Sequence, residues 1–389
     1  MVDACPVCRS STHREVLSLP GLPVLINAQV RPDEALDVPR GDIDLVVCTG
    51  CGHLFNRSFD DQLLDYDATY ENTLHFSEHF RSFAHSLASQ LVSNHRLGGE
   101  VVAEFGSGPG HFLSMLCDEG VSQAYGWDPS YDPERLGAPT SPSVTISTDR
   151  FPDDGSFPVA LALSQHVLEH LGEPVAALTA QRLAVTAKQG VVYSEVPNGQ
   201  LMIQQCALWD LIYEHLSYFV PTSLDLACRL AGLDVTSMGA AFGDQFLWCE
   251  AEPSNPIQLE PRPDAAAVER AIAEAEEFGR AAVRRIEQAR RDLARWAADG
   301  PVALWGAGSK GMTYLNVVAD VAPIAAVVDL NPRKSGAGVP GTSLVISGPD
   351  SLVDNPPRTV LVSNPVYRDE IAQNLASLGV DAELELLWA

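Results

Sequence analysis

One stretch limits what this chain can become: Val101 to Asp128, VVAEFGSGPGHFLSMLCDEGVSQAYGWD. An apolar run ends in Glu104. Gly106, Gly108 and Gly110 follow at alternate positions, an amphipathic segment runs from Phe112 to Glu119, and a second apolar run ends in Asp128. The layout is strand, glycine loop, helix, strand, carboxylate. It predicts the opening βα unit of a parallel sheet, with a nucleoside-bearing ligand laid across the sheet's carboxyl edge. Glycine lets the backbone approach such a ligand, and a carboxylate closing the second strand can take both ribose hydroxyls.

The spacing narrows the ligand. Nicotinamide sites read G-x-G-x-x-G and rest the pyrophosphate on a helix N-terminus. Here the glycines read G-x-G-x-G, and Glu104 stands two residues before the first. This resembles motif I of class I S-adenosylmethionine (SAM) methyltransferases. SAM has no pyrophosphate to cradle, and its sulfonium and amino groups suit an acid-edged loop. A glycine-rich turn in some other α/β protein is the competing reading.

Composition bounds the rest. A chain of 389 residues, 46% hydrophobic, should fill two or three domains with proper cores. A formal net charge of -26 argues against nucleic-acid backbones and anionic membranes as partners. An anionic substrate then needs a local basic pocket. No run approaches the ~20 apolar residues of a membrane span. The start, MVDACPVC, lacks a charged and apolar leader. A cytoplasmic location is expected, where disulfides are rare, so the eight cysteines should be thiols or metal ligands.

Four of them fall in residues 1–58 as two C-x-x-C pairs, Cys5/Cys8 and Cys48/Cys51. Each knuckle can point two sulfurs at one ion, which predicts a closed tetrahedral thiolate site for structural zinc in a small β-rich domain. Redox cysteines are the rival, but they favour a single pair near a βαβ unit.

Residues 59–260 carry the alternating β and α pattern of a doubly wound sheet. Tyr66, Tyr70, His75 and Ser77 form a polar-aromatic run that can line a pocket or simply pack on the core. Asp149, before a loop, is a candidate for an adenine amine. Gln165 and His166 fall at a strand's carboxyl end, where ligands bind in such sheets, with Glu195 near the same edge; His170, four residues on, is expected to be structural. Tyr213-Glu214-His215 is an unusual cluster between sheet elements. A neutral imidazole beside a carboxylate suits general-base work, against the plainer reading of a histidine bonded to a buried glutamate. Residues 261–299 should form one long linker helix, with a charged, solvated face and an apolar stripe that packs on a neighbouring domain. Residues 300–389 open a second βα unit, with Gly306, Gly308 and Gly311 in G-x-G-x-x-G spacing and Asp329 near the end of the next strand. This is a dinucleotide fingerprint, so an NAD-dependent oxidoreductase is a competing assignment. Against it, so short a segment leaves no room for a full nicotinamide-binding sheet. A helix N-terminus here can instead hold a diphosphate, with Lys310, Arg333 and Lys334 as local positive charge.

In their order, CPVC with CTGCGHLF, EFGSGPGHFL, SQHVLEH, SEVPN, IYEHLSYF, and WGAGSKGMTYLN with VVDLNPRKSGAGVPGT resemble the nucleotide-sugar C-methyltransferases of deoxysugar antibiotic pathways. The resemblance implies an α/β protein with a small N-terminal zinc-binding domain, a central class I SAM-methyltransferase Rossmann-like sheet and a C-terminal Rossmann-like domain. It implies a thymidine-diphosphate 4-keto sugar as substrate, His215 as the base that removes the proton beside the ketone, and Glu214 as its neighbouring acid. SAM is then held by Glu104, Gly106, Gly108, Gly110 and Asp128, with Asp149, Gln165 and His166 nearby. Tyr70, His75, Ser77, Lys310 and Lys334 become candidate substrate contacts. The sugar enzymes read Tyr-x-Glu-His where this chain has Ile212 at the tyrosine position, and Tyr213 is expected to take over the role. They carry a His-Gly-Gly-Ser-like turn where this chain has Phe242-Gly-Asp-Gln245. Methylation of nitrogen or oxygen on another small metabolite, and a binding module with a degenerate pocket, are the remaining alternatives.

Overall fold

The computed structural model of the protein describes residues 2–64, 74–255, 261, 263–318 and 320–388. The N-terminal layer is antiparallel. β1 (His13–Pro23) pairs with β2 (Arg40–Cys48), and β2 with β3 (Leu54–Asn56). β2 ends in the second cysteine knuckle, which closes when the Cys48 N–H donates to the His53 carbonyl at 2.8 Å. Only the first half of β2 alternates, with Ile43 buried between more exposed neighbours; from Leu45 to Cys48 every residue is buried, so the end of the strand is covered on both faces.

The central layer follows the alternation read from the sequence. Its elements are α1 (Glu78–His95), β4 (Val101–Phe105), α2 (His111–Asp118), β5 (Gln123–Trp127), α3 (Pro133–Leu136), β6 (Val144–Ser147) and β7 (Leu161–Gln165). They continue with α4 (Pro174–Thr186), β8 (Val191–Pro197), α5 (Gly199–Gln205), β9 (Ser217–Tyr218), α6 (Pro221–Leu230), β10 (Leu233–Ala241) and β11 (Phe246–Pro253). The seven-stranded sheet has the order β6-β5-β4-β7-β8-β11-β10, and β11 runs antiparallel between its neighbours. β4 lies between β5 and β7, so the chain winds outward in both directions from it. The crevice at such a reversal is where ligands enter open α/β sheets. β9 is the exception to the alternation. It leaves the central sheet and pairs antiparallel with β3, placing Leu54 opposite Tyr218 and Phe55 opposite Ser217.

α7 (Ala265–Asp299) is capped by Asp264, which accepts from the Ala266 N–H. Its buried stripe, including Ala271, Ala275, Phe278, Ala282, Ala289 and Leu293, recurs at steps of three, four and once seven residues, all on one helix face. The stripe packs across β1, so the linker helix is part of the core. Beyond it come β12 (Val302–Trp305), α8 (Ser309–Val318), β13 (Ala326–Val328), β14 (Ile346–Ser347), α9 (Ser351–Asp354), β15 (Thr359–Val362), α10 (Arg368–Leu378) and β16 (Glu383–Leu386). Their sheet is all parallel, in the order β14-β13-β12-β15-β16. One buried apolar cluster runs through every layer, from Ile43 through Phe219 and Phe278 to Met312. Among the described residues no helix is long and apolar enough to cross a membrane.

The contact between α7 and β1 is close enough to reverse a usual rule. A Cβ at Gly279 would lie 2.0 Å from the Val16 carbonyl oxygen. Alanine for glycine inside a helix ordinarily gains about 1 kcal/mol. Here Gly279→Ala is expected to lower stability by about 1–3 kcal/mol through overpacking. Urea unfolding of the two proteins side by side checks the sign.

Candidate active site

The glycine loop after β4 is shaped by its neighbours. Gly106 has φ +66°, and a Cβ there would meet Val167 Cγ2 at 2.4 Å, so only glycine fits. The Gly108 N–H donates to Asp128 Oδ2 at 2.7 Å, while Asp128 Oδ1 accepts from the Ser130 N–H and hydroxyl. Gly110 caps α2 in the left-handed region. Glu104 is buried beneath this loop, and its Oε2 has no hydrogen-bond partner. Burial first, then the Asp128 and Glu195 carboxylates, push its carboxyl well above the usual range. The loop therefore closes over a buried carboxyl that is held back from ionising and has one oxygen unpartnered, a place that suits a ligand bringing an amine or another positive group.

From there a row of titratable groups runs along the carboxyl ends of β7 and β8. Glu195 Oε2 accepts from the Tyr193 hydroxyl at 3.0 Å, and Oε1 accepts from Gln165 Nε2 at 3.3 Å. His166 lies between two carboxylates, 3.5 Å from Glu195 Oε1 and 3.7 Å from Glu169 Oε1. Burial alone would lower its pKa, but Glu169 and Glu195 outweigh that and raise it to about 10. Burial likewise works against the Glu169 carboxylate, and His166 and His170 overcome it to hold the group below the usual range. His170 ends a one-turn 3-10 helix, Leu168–His170, and its Nε2 is 3.9 Å from Glu169.

The row ends at His215, whose ring centroid is 5.0 Å from that of His170. His215 Nδ1 lies 3.2 Å from the Asp210 carbonyl, and His170 Nδ1 lies 2.9 Å from the Glu214 carbonyl. A carbonyl can only accept, which assigns the proton to Nδ1 in both rings and makes Nε2 the basic atom. Burial, then His170, hold His215 down to about 3, so it stands as the neutral imidazole. Tyr218 flanks it at 6.0 Å.

The remaining predicted residues divide. The group that orients His215 is the Asp210 carbonyl rather than the Glu214 carboxylate, because the 3-10 turn Leu208–Asp210 presents that carbonyl directly to Nδ1. Tyr213 points away from His215. Its hydroxyl accepts from the Asp60 N–H at 2.9 Å, and its ring stacks on Phe59 and covers Gly41 of the N-terminal sheet. Asp149 is exposed and accepts from the Ser147 hydroxyl. His75 lies beside His111 at the start of α2, 4.7 Å between centroids. Burial, His111 and Arg81 lower its pKa to about 4. Ser77 caps α1 and donates to Glu370 Oε2 at 2.8 Å. Tyr70, like Tyr66, lies outside the described residues.

A cleft of about 870 Å³, mouth included, separates the start of α1 from the C-terminal domain; Phe76, Ser77, Gly306, Lys310, Asn331 and Tyr367 are among its walls. Neither predicted lysine is unattached there. Lys310 Nζ donates to Asp210 Oδ1 at 2.8 Å, and Lys334 is buried with Nζ on the Ala307 carbonyl at 2.9 Å. Arg333 covers the Phe76 ring at 5.5 Å. Asp329 spends both oxygens on the N–H groups of Ala307 and Asn331. The Phe242-Gly-Asp-Gln245 turn reaches the same boundary, where the Gln245 and Asn364 amides bond reciprocally at 2.7 and 3.0 Å.

The four N-terminal cysteines converge. Their sulfurs all lie within 4.8 Å of one another, with Cys5–Cys51 at 3.6 Å and Cys8–Cys48 at 3.5 Å. Zinc–sulfur bonds of about 2.3 Å in a tetrahedron give sulfur–sulfur edges of about 3.8 Å, so the group has the size and ligand set that zinc requires.

Residues 76–238 match the family model of a methyltransferase domain, and residues 263–382 that of a C-methyltransferase C-terminal domain. No curated relative matches the sequence. Among solved structures, magnesium protoporphyrin IX methyltransferase from Synechocystis with bound S-adenosylhomocysteine (SAH) is similar at 17% identity, covering 45% of this chain and 84% of that one, TM-score 0.35. The 1,6-didemethyltoxoflavin-N1-methyltransferase of Burkholderia thailandensis is similar at 14% identity, with coverage of 52% and 96% and TM-score 0.34. The chain is a SAM-dependent methyltransferase of the class I fold, with a C-methyltransferase C-terminal domain behind it.

His75 and His215 carry a pH signature. Their folded pKa values, about 4 and about 3, lie below the 6.5 of an ordinary imidazole. Between those limits the unfolded chain binds more protons, so their contribution is complete above pH 6.5 and is lost as pH falls. Thermal unfolding midpoints should drop as pH is lowered from 6.5 toward 4, less steeply in His75→Gln. Equal slopes for the two proteins would contradict the assignment of His75.

Proposed function

We propose that this methyltransferase alkylates a carbon beside a ketone on a nucleotide-linked sugar, with His215 as the general base. The observation that carries the reading is the Nδ1 contact of His215 with the Asp210 carbonyl, which reserves Nε2 for a substrate proton. The C-terminal glycine loop and the cleft in front of it offer a second, separate region for the rest of such a substrate.

Glu104, Gly106, Gly108, Gly110 and Asp128 are the residues proposed to hold SAM, with Gln165 and His166 beside them. The unpartnered Glu104 oxygen fits this, since an amine in that position would satisfy it. SAM supplies an electrophilic methyl group on a sulfonium. His215 Nε2 accepts the proton from the carbon next to the carbonyl, and the electron pair of the broken C–H bond passes into the enolate that the methyl donor requires. A positioned base contributes about 10²–10⁴-fold. Cys5, Cys8, Cys48 and Cys51 are proposed to hold structural zinc; four thiolates close the coordination shell, so the ion takes no part in the reaction.

His215→Asn is expected to lower methyl transfer to a thymidine-diphosphate 4-keto sugar by roughly 100-fold or more, while calorimetric affinity for SAH is kept. Should the protein bind SAH but not thymidine diphosphate, the acceptor is another small metabolite, and methylation at nitrogen or oxygen becomes the better reading. Glu104→Gln, isosteric but uncharged, is expected to weaken SAH binding by about tenfold, in line with the loss of one charge-assisted hydrogen bond. Metal analysis of purified protein should give one zinc per chain, lost in a Cys48→Ser variant.

A further inference from the structure

We infer that Lys310 is a positioning residue for His215, acting on it through Asp210 from across the domain boundary. The inference rests on His215 being the base, and it removes Lys310 from the substrate contacts expected from the sequence.

Lys310 is the second residue of α8 in the C-terminal domain, yet its ammonium reaches out of that domain. Nζ donates to Asp210 Oδ1 at 2.8 Å and sits 5.5 Å from the centre of the Trp209 ring. Both charged groups are mostly covered, with side chains 17% and 11% exposed. The partner is part of the turn that carries the base. The Asp210 carbonyl accepts from the Ile212 N–H at 3.1 Å and from His215 Nδ1 at 3.2 Å, and the His215 N–H donates to the Ile212 carbonyl at 3.2 Å. Residues 208–215 thus bond largely onto themselves. α8 grips this turn at two points one helical turn apart: Lys310 on the Asp210 carboxylate, and the Thr313 hydroxyl on the Leu211 carbonyl at 3.4 Å.

Two arguments set the role. A lysine in the first turn of a helix opposes the helix dipole, so its place there is not explained by α8 itself. An anion arriving at the glycine loop meets an ammonium already neutralised by Asp210. Removing Lys310 leaves a covered carboxylate without its counter-ion, a state that is strongly unfavourable. The turn then shifts or the carboxylate takes a proton, and either event disturbs the carbonyl that fixes which nitrogen of His215 is protonated.

The test uses full-length, zinc-loaded protein labelled with ¹⁵N-histidine and saturated with SAH. Long-range ¹H–¹⁵N spectra report the tautomer of each imidazole, and His215→Asn assigns the signal. Wild type is expected to hold His215 protonated at Nδ1. In Lys310→Met the signal should move toward a tautomer mixture, and kcat for methyl transfer should fall by roughly tenfold or more, the scale of a base displaced by a fraction of an ångström, with KM for the acceptor little changed. Lys310→Arg should restore both. Asp210→Asn, which keeps the hydrogen bond and drops the charge, should move the signal the same way by less, and it carries the test if Lys310→Met does not fold. An unchanged His215 signal in Lys310→Met overturns the inference. So does a raised KM or lost thymidine diphosphate binding at constant kcat, which would make Lys310 an anion ligand. If His215→Asn leaves methyl transfer intact, the base assignment fails, while the spectra still decide the Lys310–Asp210 link.

Discussion

His166 lies between two carboxylates that burial would otherwise make intolerable, and much of the central layer follows from keeping it there. Glu169 and Glu195 are each 1% exposed on their side chains, and ionised carboxylates in such places need a counter-charge. His166 provides it from a left-handed backbone, φ +55°, pinned by its N–H to the Glu195 carbonyl at 2.8 Å. Strain of this kind persists where the surroundings over-determine it. The sharp turn carries the next side chain, Val167, against the glycine loop, and that contact is what excludes any Cβ at position 106. The loop's first glycine is thus explained by sterics from the neighbouring strand before any ligand is considered.

The second determinant is the segment from Leu208 to Phe219. It belongs by sequence to the central domain but is fixed by the other two. Tyr213 packs over Gly41 of β2, β9 is held by β3, and Asp210 with Leu211 by α8. His215 sits in the middle of these attachments. The imidazole is therefore rigid for a reason that none of the three domains contains alone, in keeping with the general need to hold reactive groups by a supporting shell.

What could be read from the sequence was periodic or covalently close. The βα alternation, the glycine loops and the paired cysteines each depend on spacings of a few residues, and the structure has all of them. The Glu195 edge was legible because it lies near the end of an apolar run, and His215 drew notice as part of the unusual Tyr213-Glu214-His215 cluster. The partners of His215 were not legible. Asp210 meets it through its main-chain carbonyl, which carries no residue-type signal, and Lys310, which bonds the Asp210 carboxylate, is 100 residues from Asp210. Glu169 and His170 form a local pattern with His166 that could have been found; a His-x-x-Glu-His run after a buried strand places three ionisable groups around one turn. Tyr213 was misplaced because adjacent residues in an irregular turn face different neighbours, and only the packing of Gly41 and Phe59 decides which.

The borrowed strand bears on how the chain is made. The sheet that holds the cysteine knuckles has β9 as its last strand, and about 160 residues separate Asn56 from Ser217. At synthesis rates of about 5–20 residues per second, the first sheet leaves the ribosome and waits roughly 8–30 s for its edge to be covered. During that interval β3 presents an unpaired edge, the kind of surface that invites wrong partners. An early metal ion in the cysteine cluster would add to the strand pairing of the nascent layer a restraint that ties its two ends before the rest of the protein exists.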